Sequence, residues 1–248
     1  MTEILENALD SLRMGLRHHL NESLENSDKW AILELFHCIE LLLKERLHRD
    51  HSLLIYKNVD SAIDDDSLTV GLKESLQRLA NVGVSLPNDY RVILFDLQKR
   101  RNRIEHHRFV PDNSHLYVLG KAIKFIGYFL EEELDTDVAE ELGEHLYAEA
   151  KELMFDYDQL VAKAEASIES ILSKQHPKHG VAYDIGECPE CGNMTVLVHP
   201  DDPESRECHF CKQTVDVRQC QRCCRYLPEE SMIAPDLCHD CFADMTAE

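Results

Sequence analysis

Four cysteine pairs, each with two residues between its members, stand close together in the last quarter of the chain. The pairs are Cys188/Cys191, Cys208/Cys211, Cys220/Cys223 and Cys238/Cys241. This spacing lets both thiolates of a pair face one ion from a tight knuckle, and two knuckles complete a tetrahedral four-cysteine zinc site. The eight cysteines therefore predict two structural zinc ions, each held by four thiolates with no position open to a substrate.

The spacing does not fix which knuckles share an ion. Sequential pairing gives two consecutive sites, whereas a cross-braced arrangement, in which the first and third knuckles share one ion, fits the cysteine count equally well. His209 and His239 lie inside knuckles and could replace a cysteine, although four cysteines per site make this unnecessary. Disulfides are the alternative use of paired cysteines, but the acidic N-terminal segment MTEILENALD is the opposite of a secretion signal. Because the cytosol keeps thiols reduced, we expect metal ligation in a cytoplasmic protein.

A second group of reactive side chains is a basic cluster in the middle of the chain. Five of the 26 lysines and arginines lie within residues 99–108, and they are Lys99, Arg100, Arg101, Arg103 and Arg108. His106 and His107 are embedded among them. Acidic residues outnumber basic ones by 47 to 26, which gives a net charge of −21. A protein this acidic cannot attract nucleic acid through its overall field, so any contact with RNA or DNA must come from a local cluster.

Helices are predicted for most of the first 176 residues, because apolar residues recur at intervals of three and four and Gly and Pro are rare. The predicted ranges are Thr2–Leu20, Lys29–His48, Leu72–Ala80, Pro87–Val110, His115–Leu134 and Asp135–Lys174. Charged residues interrupt the long apolar runs, so no membrane span is expected.

The composition divides the chain into segments. We expect residues 1–135 to form a helical bundle. Residues 136–176 are expected to form either one long helix that serves as a stalk or a dimer seam, or a kinked pair of ordinary bundle helices. A linker at 177–187 leads to two four-cysteine zinc modules at 188–248, where the runs MTVLV and TVDV predict short strands. The predicted fold class is mainly α, a helical bundle followed by a small zinc-stapled β-rich tail.

The helix predicted over Pro87–Val110 has two distinct faces in a projection at about 100° per residue. One stripe suits the core of the bundle and contains Tyr90, Ile93, Leu97 and Ile104. The opposite side carries a polar pair flanked by two phenylalanines, namely Phe95, Asn102, His106 and Phe109. Such a face indicates a second buried surface, and the simplest partner is the same helix of another subunit across a two-fold axis.

The segment Arg101–His106 reads R-N-x-x-x-H and resembles the motif of HEPN-domain ribonucleases. Within the run IELLLKERL, Glu40 and Lys44 are similar to the E-x-x-x-K pattern of that family's second helix. The resemblance covers residues 1–135 and does not include the zinc modules. It implies an all-α bundle of four or more helices that forms a homodimer, so that two motifs make one composite site.

The resemblance also implies metal-independent cleavage of RNA, in a toxin or an antiviral-defence effector. Arg101, Asn102 and His106 would be catalytic, and the substrate would be bound by neighbouring residues, namely Arg100, Arg103, His107 and Arg108. A histidine with a pKa near 6.5 can take the proton of a ribose 2′-OH or protonate the leaving 5′-oxygen. An arginine can hold the phosphate in two places as charge builds up. The expected products are a 2′,3′-cyclic phosphate and a 5′-hydroxyl, and DNA should survive.

Two other functions compete with a nuclease. A non-catalytic dimeric adaptor would use the zinc tail to bind a protein partner, and in a nuclease the same tail would contact a partner or an antitoxin. A zinc-ribbon transcription regulator is the third reading, but acidic residues outnumber basic ones in the tail and no recognition helix with a basic face is evident there.

Overall fold

The computed structural model describes residues 2–21, 23–60, 62–64, 66–106, 114–174, 183–189, 191, 193–198, 205–223, 226–229, 232–234, 236–238 and 241–242. Six α-helices occupy most of the described residues before position 175: α1 (Glu3–Leu20), α2 (Ser27–Asp50), α3 (Leu72–Asn81), α4 (Asn88–His106), α5 (Ser114–Leu134) and α6 (Val138–Lys174). A short 3-10 helix, Ser52–Ile55, follows α2. The helical bundle with a strand-rich tail confirms the predicted fold class.

The chain divides into two compact units, Met1–Tyr157 and Asp158–Glu248, and the boundary lies inside α6. None of the described helices combines the length and the apolar character that crossing a membrane requires.

Helix α2 is the centre of the first unit, where it packs against α1, α3, α4 and α5. Its buried side chains are spread around the helix rather than along one stripe: Ala31, Ile32, Leu35, Phe36, Cys38, Ile39, Leu42, Leu43, Glu45 and Leu47. A helix that is apolar on most of its faces is buried by neighbours on several sides. This position makes α2 the support against which the basic end of α4 is held.

Helix α2 also carries a fully buried carboxylate. Glu45 accepts a hydrogen bond from the Thr2 hydroxyl at 2.6 Å and one from the Arg49 Nε at 2.9 Å. Arg49 in turn donates to the carbonyl of Leu134 at 2.7 Å. Since a buried charge is tolerated only when it is paired and hydrogen-bonded, this network joins the start of α1, the end of α2 and the end of α5.

Helix α6 is bent rather than straight. Gly143 has φ 71° and ψ 168°, a conformation outside the helical region that glycine adopts at low cost. The break makes the segment a kinked pair, one of the two forms expected from the sequence. Along the part of α6 for which a stalk or a dimer seam was expected, Ala150, Leu153 and Tyr157 are buried, whereas Leu160 is 41% exposed. A role of α6 between two chains stays a prediction.

Helices α5 and α6 approach each other closely at Gly120. A Cβ atom at this position would lie 2.6 Å from the carbonyl oxygen of Leu153 and 2.8 Å from the Cβ of Tyr157. Only a residue without a side chain allows this separation of the two backbones.

The described part of the tail contains seven short strands: β1 (Asp184–Gly186), β2 (Val196–Val198), β3 (Ser205–Glu207), β4 (Thr214–Gln219), β5 (Tyr226–Pro228), β6 (Met232–Ala234) and β7 (Leu237–Cys238). The predicted strand runs correspond to β2 and β4. All neighbouring strands are antiparallel, in the orders β1-β2, β3-β4-β5 and β6-β7.

Strand β4 belongs to both halves of the tail. Its residues 214–216 pair with β3, and its residues 217–219 pair with β5. The inward side chains of this strand, Val215 and Val217, are buried. The tail therefore has a shared strand in place of a linker between its two cysteine groups.

Candidate functional site

The structure brings the eight predicted cysteine ligands together as two groups of four. One group contains Cys188, Cys191, Cys208 and Cys211, and the other contains Cys220, Cys223, Cys238 and Cys241. Within each group all sulfur atoms lie within 4.8 Å of one another. The pairing of the knuckles is therefore sequential, and the cross-braced alternative is wrong.

The distances between sulfur atoms fit a tetrahedral ion. Cys188 and Cys211 are 3.7 Å apart, Cys191 and Cys208 are 3.7 Å apart, and in the second group Cys223 and Cys238 are 3.9 Å apart. A tetrahedral zinc ion with Zn–S bonds of about 2.3 Å places its sulfur ligands about 3.8 Å from each other. Each group could therefore hold a metal ion of this size.

Local backbone bonds shape the knuckles of the first group. The Cys188 amide donates to the carbonyl of Asn193 at 2.8 Å, and the Cys208 amide donates to the carbonyl of Gln213 at 2.8 Å. Lys212 takes a positive φ of 63° inside the second of these turns. The two-residue spacing requires such turns, because the chain must reverse its direction between the two cysteines of a pair for both sulfur atoms to bind the same ion.

Hydrogen bonds lower the pKa of selected thiols in both groups. The Cys208 thiol has a lowered pKa because the thiols of Cys188 and Cys191 bond to it, with help from the Thr195 hydroxyl at 3.1 Å. The backbone amides of Cys223 and Cys238 lower the pKa of Cys220 to about 6. Thiol contacts also raise the pKa of Cys188 and Cys191 in the first group, and burial together with thiol contacts raises the pKa of Cys241 in the second, so each group combines thiols of lowered and raised pKa.

Cys38 has a different environment from these ligands. It is buried within α2, and burial followed by the nearby Glu34 charge raises the pKa of its thiol. A buried thiol of this kind is an inert packing residue.

The end of α4 carries the second predicted site. The expected inner stripe is confirmed, because Ile93, Leu97 and Ile104 are buried. Tyr90 is partly exposed and stacks on Tyr128 with ring centroids 4.6 Å apart.

The outer face of α4 carries the polar pair as expected. Asn102 and His106 are exposed, one turn apart, and Phe95 is 36% exposed two turns before Asn102. Lys99 and Arg103 are also exposed. His107, Arg108 and Phe109 lie outside the described residues.

Arg100 and Arg101 have different surroundings although they are adjacent. The Arg100 side chain is 13% exposed, and its Nε donates to Asp96 at 3.3 Å. It also bonds to the Tyr117 hydroxyl on α5. Arg100 therefore joins α4 to α5, and its described contacts favour a structural role over the substrate contact expected from the sequence.

Arg101 instead lies at the surface between α4 and α2. Its guanidinium carbon is 5.7 Å from the centre of the Phe36 ring, and its Nη1 donates to Glu105 at 2.8 Å and to Asn102 at 3.2 Å. About a third of the side chain is exposed, at 34%. Glu40 and Lys44, the second-helix residues of the resemblance, are half-buried on the same helix as Phe36.

Some of the residues that support this site were not singled out from the sequence. Asp96 and Glu105 each stand four residues from the arginine that they bind, so the helical i,i+4 spacing of opposite charges was a usable signal. Tyr117 and Phe36 reach the arginines from other helices, and only the tertiary packing reveals them.

Comparison with known proteins gives no relative: no protein-family model, no curated protein and no solved structure matches this chain.

Proposed function

We propose that this protein is a metal-independent endoribonuclease that acts as a homodimer, with Arg101, Asn102 and His106 as its catalytic residues. One observation supports this most directly. At the end of α4, Asn102 and His106 are exposed on one face beside Arg101, whose guanidinium is held by Glu105 and the Phe36 ring. Arg101 bonds to Asn102, and an oriented arginine together with an exposed histidine supplies the groups needed to cleave a phosphodiester through its 2′-OH.

The reaction follows from these residue types. The imidazole of one His106 takes the proton of the ribose 2′-OH, and the 2′-oxygen attacks phosphorus. The bond from phosphorus to the 5′-oxygen breaks, and the His106 of a second copy, in its protonated form, donates a proton to that oxygen. Arg101 binds the nonbridging oxygens as their charge increases. The products are a 2′,3′-cyclic phosphate and a 5′-hydroxyl, with no metal required.

The dimer is proposed to form around the outer face of α4. Phe95 is a large apolar side chain exposed on the same face as Asn102 and His106. Contact between two such faces across a two-fold axis would bury both phenylalanines and bring the two motifs together. The composite site would then contain two histidines for the two proton transfers.

We further propose that the two cysteine groups hold zinc and that both ions are structural. Four thiolates complete the tetrahedral coordination of zinc and leave no position for water or substrate. In this proposal the tail contacts a trigger, an antitoxin or another protein, in a cytoplasmic effector of the toxin or antiviral-defence class.

The decisive experiment is cleavage of labelled single-stranded RNA beside DNA of matched sequence, with untreated and EDTA-treated protein. The expected result is cleavage of RNA alone that survives EDTA and is lost in His106→Ala. His145→Ala, which removes an exposed histidine from α6, is the matched control and should cleave normally. RNA cleavage that persists when both His106→Ala and His107→Ala are present would exclude the proposed site.

A non-catalytic adaptor is the second candidate, and a feature of the tail favours it. Several apolar side chains of the tail are exposed, namely Ile185, Met194, Ile233 and Phe242. Exposed apolar residues on a small domain suit protein contact better than contact with RNA phosphates. Capture of one defined partner by the full chain, lost when Met194 and Ile233 are changed to serine and accompanied by no RNA cleavage, would support this function.

A further inference from the structure

The contacts of Arg101 divide its guanidinium into an occupied side and an open side. Both hydrogen bonds that we observe, to Glu105 and to Asn102, use Nη1. No residue of the described ranges hydrogen-bonds to its Nε or Nη2. These two nitrogens form the edge of a guanidinium that binds two phosphate oxygens at once.

Two neighbours fix the direction of that open edge. Phe36 is 2% exposed, so the ring beneath the guanidinium belongs to the rigid core of α2. The Glu105 carboxylate holds Nη1 from one turn further along α4. An arginine side chain that is free in solution has many rotamers, and it loses conformational entropy when a ligand fixes it. Because Arg101 is already held, phosphate binding loses less of this entropy.

Glu105 also places a negative charge beside the position that a phosphate would occupy. At an exposed site this repulsion is modest, because water screens it. The same carboxylate therefore has two opposing effects on an RNA ligand: its hydrogen bond orients Arg101, and its charge weakens the attraction of phosphate.

We infer that Glu105 is a positioning residue that orients Arg101 for an RNA phosphate and that its charge limits RNA affinity. The inference rests on the proposed function, since it concerns the same site. Glutamine at this position keeps an oxygen that accepts from Nη1 but has no charge, so the two effects can be separated.

The test is a double-mutant cycle on the full chain that carries His106→Ala, so that RNA stays intact. The probe is a short fluorescein-labelled single-stranded RNA of mixed sequence, and fluorescence anisotropy gives its Kd. Glu105→Gln should bind about two- to five-fold more tightly than the parent. Glu105→Ala should show a smaller increase in RNA affinity, because it loses the hydrogen bond that orients Arg101.

In chains that also carry Arg101→Ala, the difference between glutamine and alanine at position 105 should disappear. Glu131→Gln, which removes one charge from an exposed position on α5, is the matched control and should leave the Kd unchanged. Helicity by circular dichroism verifies that each variant is folded.

The outcomes separate the inference from the proposed function. If the parent binds RNA but glutamine and alanine behave alike, or if their difference persists without Arg101, Glu105 does not act through Arg101 and the inference is wrong. If no chain binds RNA, both the inference and the proposed function fail.

Discussion

At the residue scale, two adjacent arginines of α4 have different surroundings because their side chains point in different directions. Arg100 and Arg101 are about 100° apart around α4, so one turns towards α5 and the other towards α2. The sequence placed both in the same basic cluster as candidates for RNA contact. Only the packing of α4 between its neighbours distinguishes Arg100, whose side chain is 13% exposed, from Arg101, whose side chain is 34% exposed.

A substitution at Arg100 tests this distinction. Arg100→Ala removes the ion pair with Asp96, whose side chain is 9% exposed, and it also removes the bond to the Tyr117 hydroxyl. We expect a loss of about 3 kcal/mol in the free energy of unfolding. Urea unfolding followed by the fluorescence of Trp30, the single tryptophan, reports on the helical unit.

Arg103→Ala is the control for this prediction, because Arg103 is an exposed arginine of the same helix. Its free energy of unfolding should change by less than about 0.5 kcal/mol. Equal stability of the two variants would show that the bond of Arg100 to Asp96 contributes little, and Arg100 would become a candidate for substrate contact.

At the scale of elements, the helices follow closely from the sequence. The predicted starts and ends of α1, α3 and α5 differ from the observed ones by one residue or less, because apolar periodicity and turn residues are local signals. The burial of Glu45 depends on a contact between distant residues, because Thr2 bonds to it from the start of α1. The cysteine spacing predicted the ligands but left their pairing open, since shared strand β4 is a tertiary feature.

The close approach of α5 to α6 gives a prediction with an internal control. Gly120→Ala would force apart the backbones at Leu153, and we expect a loss of about 2 kcal/mol in the free energy of unfolding. Gly127→Ala lies in the same helix, with no atom within 4 Å of the new Cβ. It should stabilise the protein by about 0.5–1 kcal/mol, because alanine is the better helix former. Urea midpoints that move in the same direction for both variants would contradict this interpretation.

The strand shared by the two cysteine groups predicts that metal ions bound to them would be released together. Cys220→Ser with Cys223→Ser removes the second site, which should loosen the end of β4 that pairs with β5. We expect the ion of the first site to pass to a chromogenic chelator about ten-fold faster than in the unaltered protein, since metal binding and folding are coupled.

The reciprocal variant is the control for this coupling. Cys188→Ser with Cys191→Ser should speed release from the second site by a similar factor, because a coupling free energy acts in both directions. If the remaining site releases its metal ion at an unchanged rate in both variants, β4 does not couple the two sites.

At the scale of the whole molecule, the charge of −21 restricts where RNA could bind. Among the described residues at the end of α4, three basic side chains are accessible to an RNA phosphate, namely Lys99, Arg101 and Arg103. Three phosphate contacts predict a slope of about −2 for the logarithm of the RNA association constant against the logarithm of salt concentration, and about −4 if one RNA contacts two copies.

Titration of RNA binding at several salt concentrations measures this slope. Arg103→Ala should make it shallower by about 0.7 for each copy that contacts the RNA. A slope near zero would mean that the protein does not bind RNA through phosphates. That result would favour the non-catalytic adaptor over the nuclease.

The single strand that closes both cysteine groups also constrains how this tail can change over time. A recombination event that joined the first half to a foreign second half would have to break the chain at or beside the six-residue strand β4. Wherever the break fell, β4 would lose one of its two native partner strands, β3 or β5. The tail should therefore be inherited as one block. For the same reason, a protein engineer who transfers it to another scaffold must move both halves together.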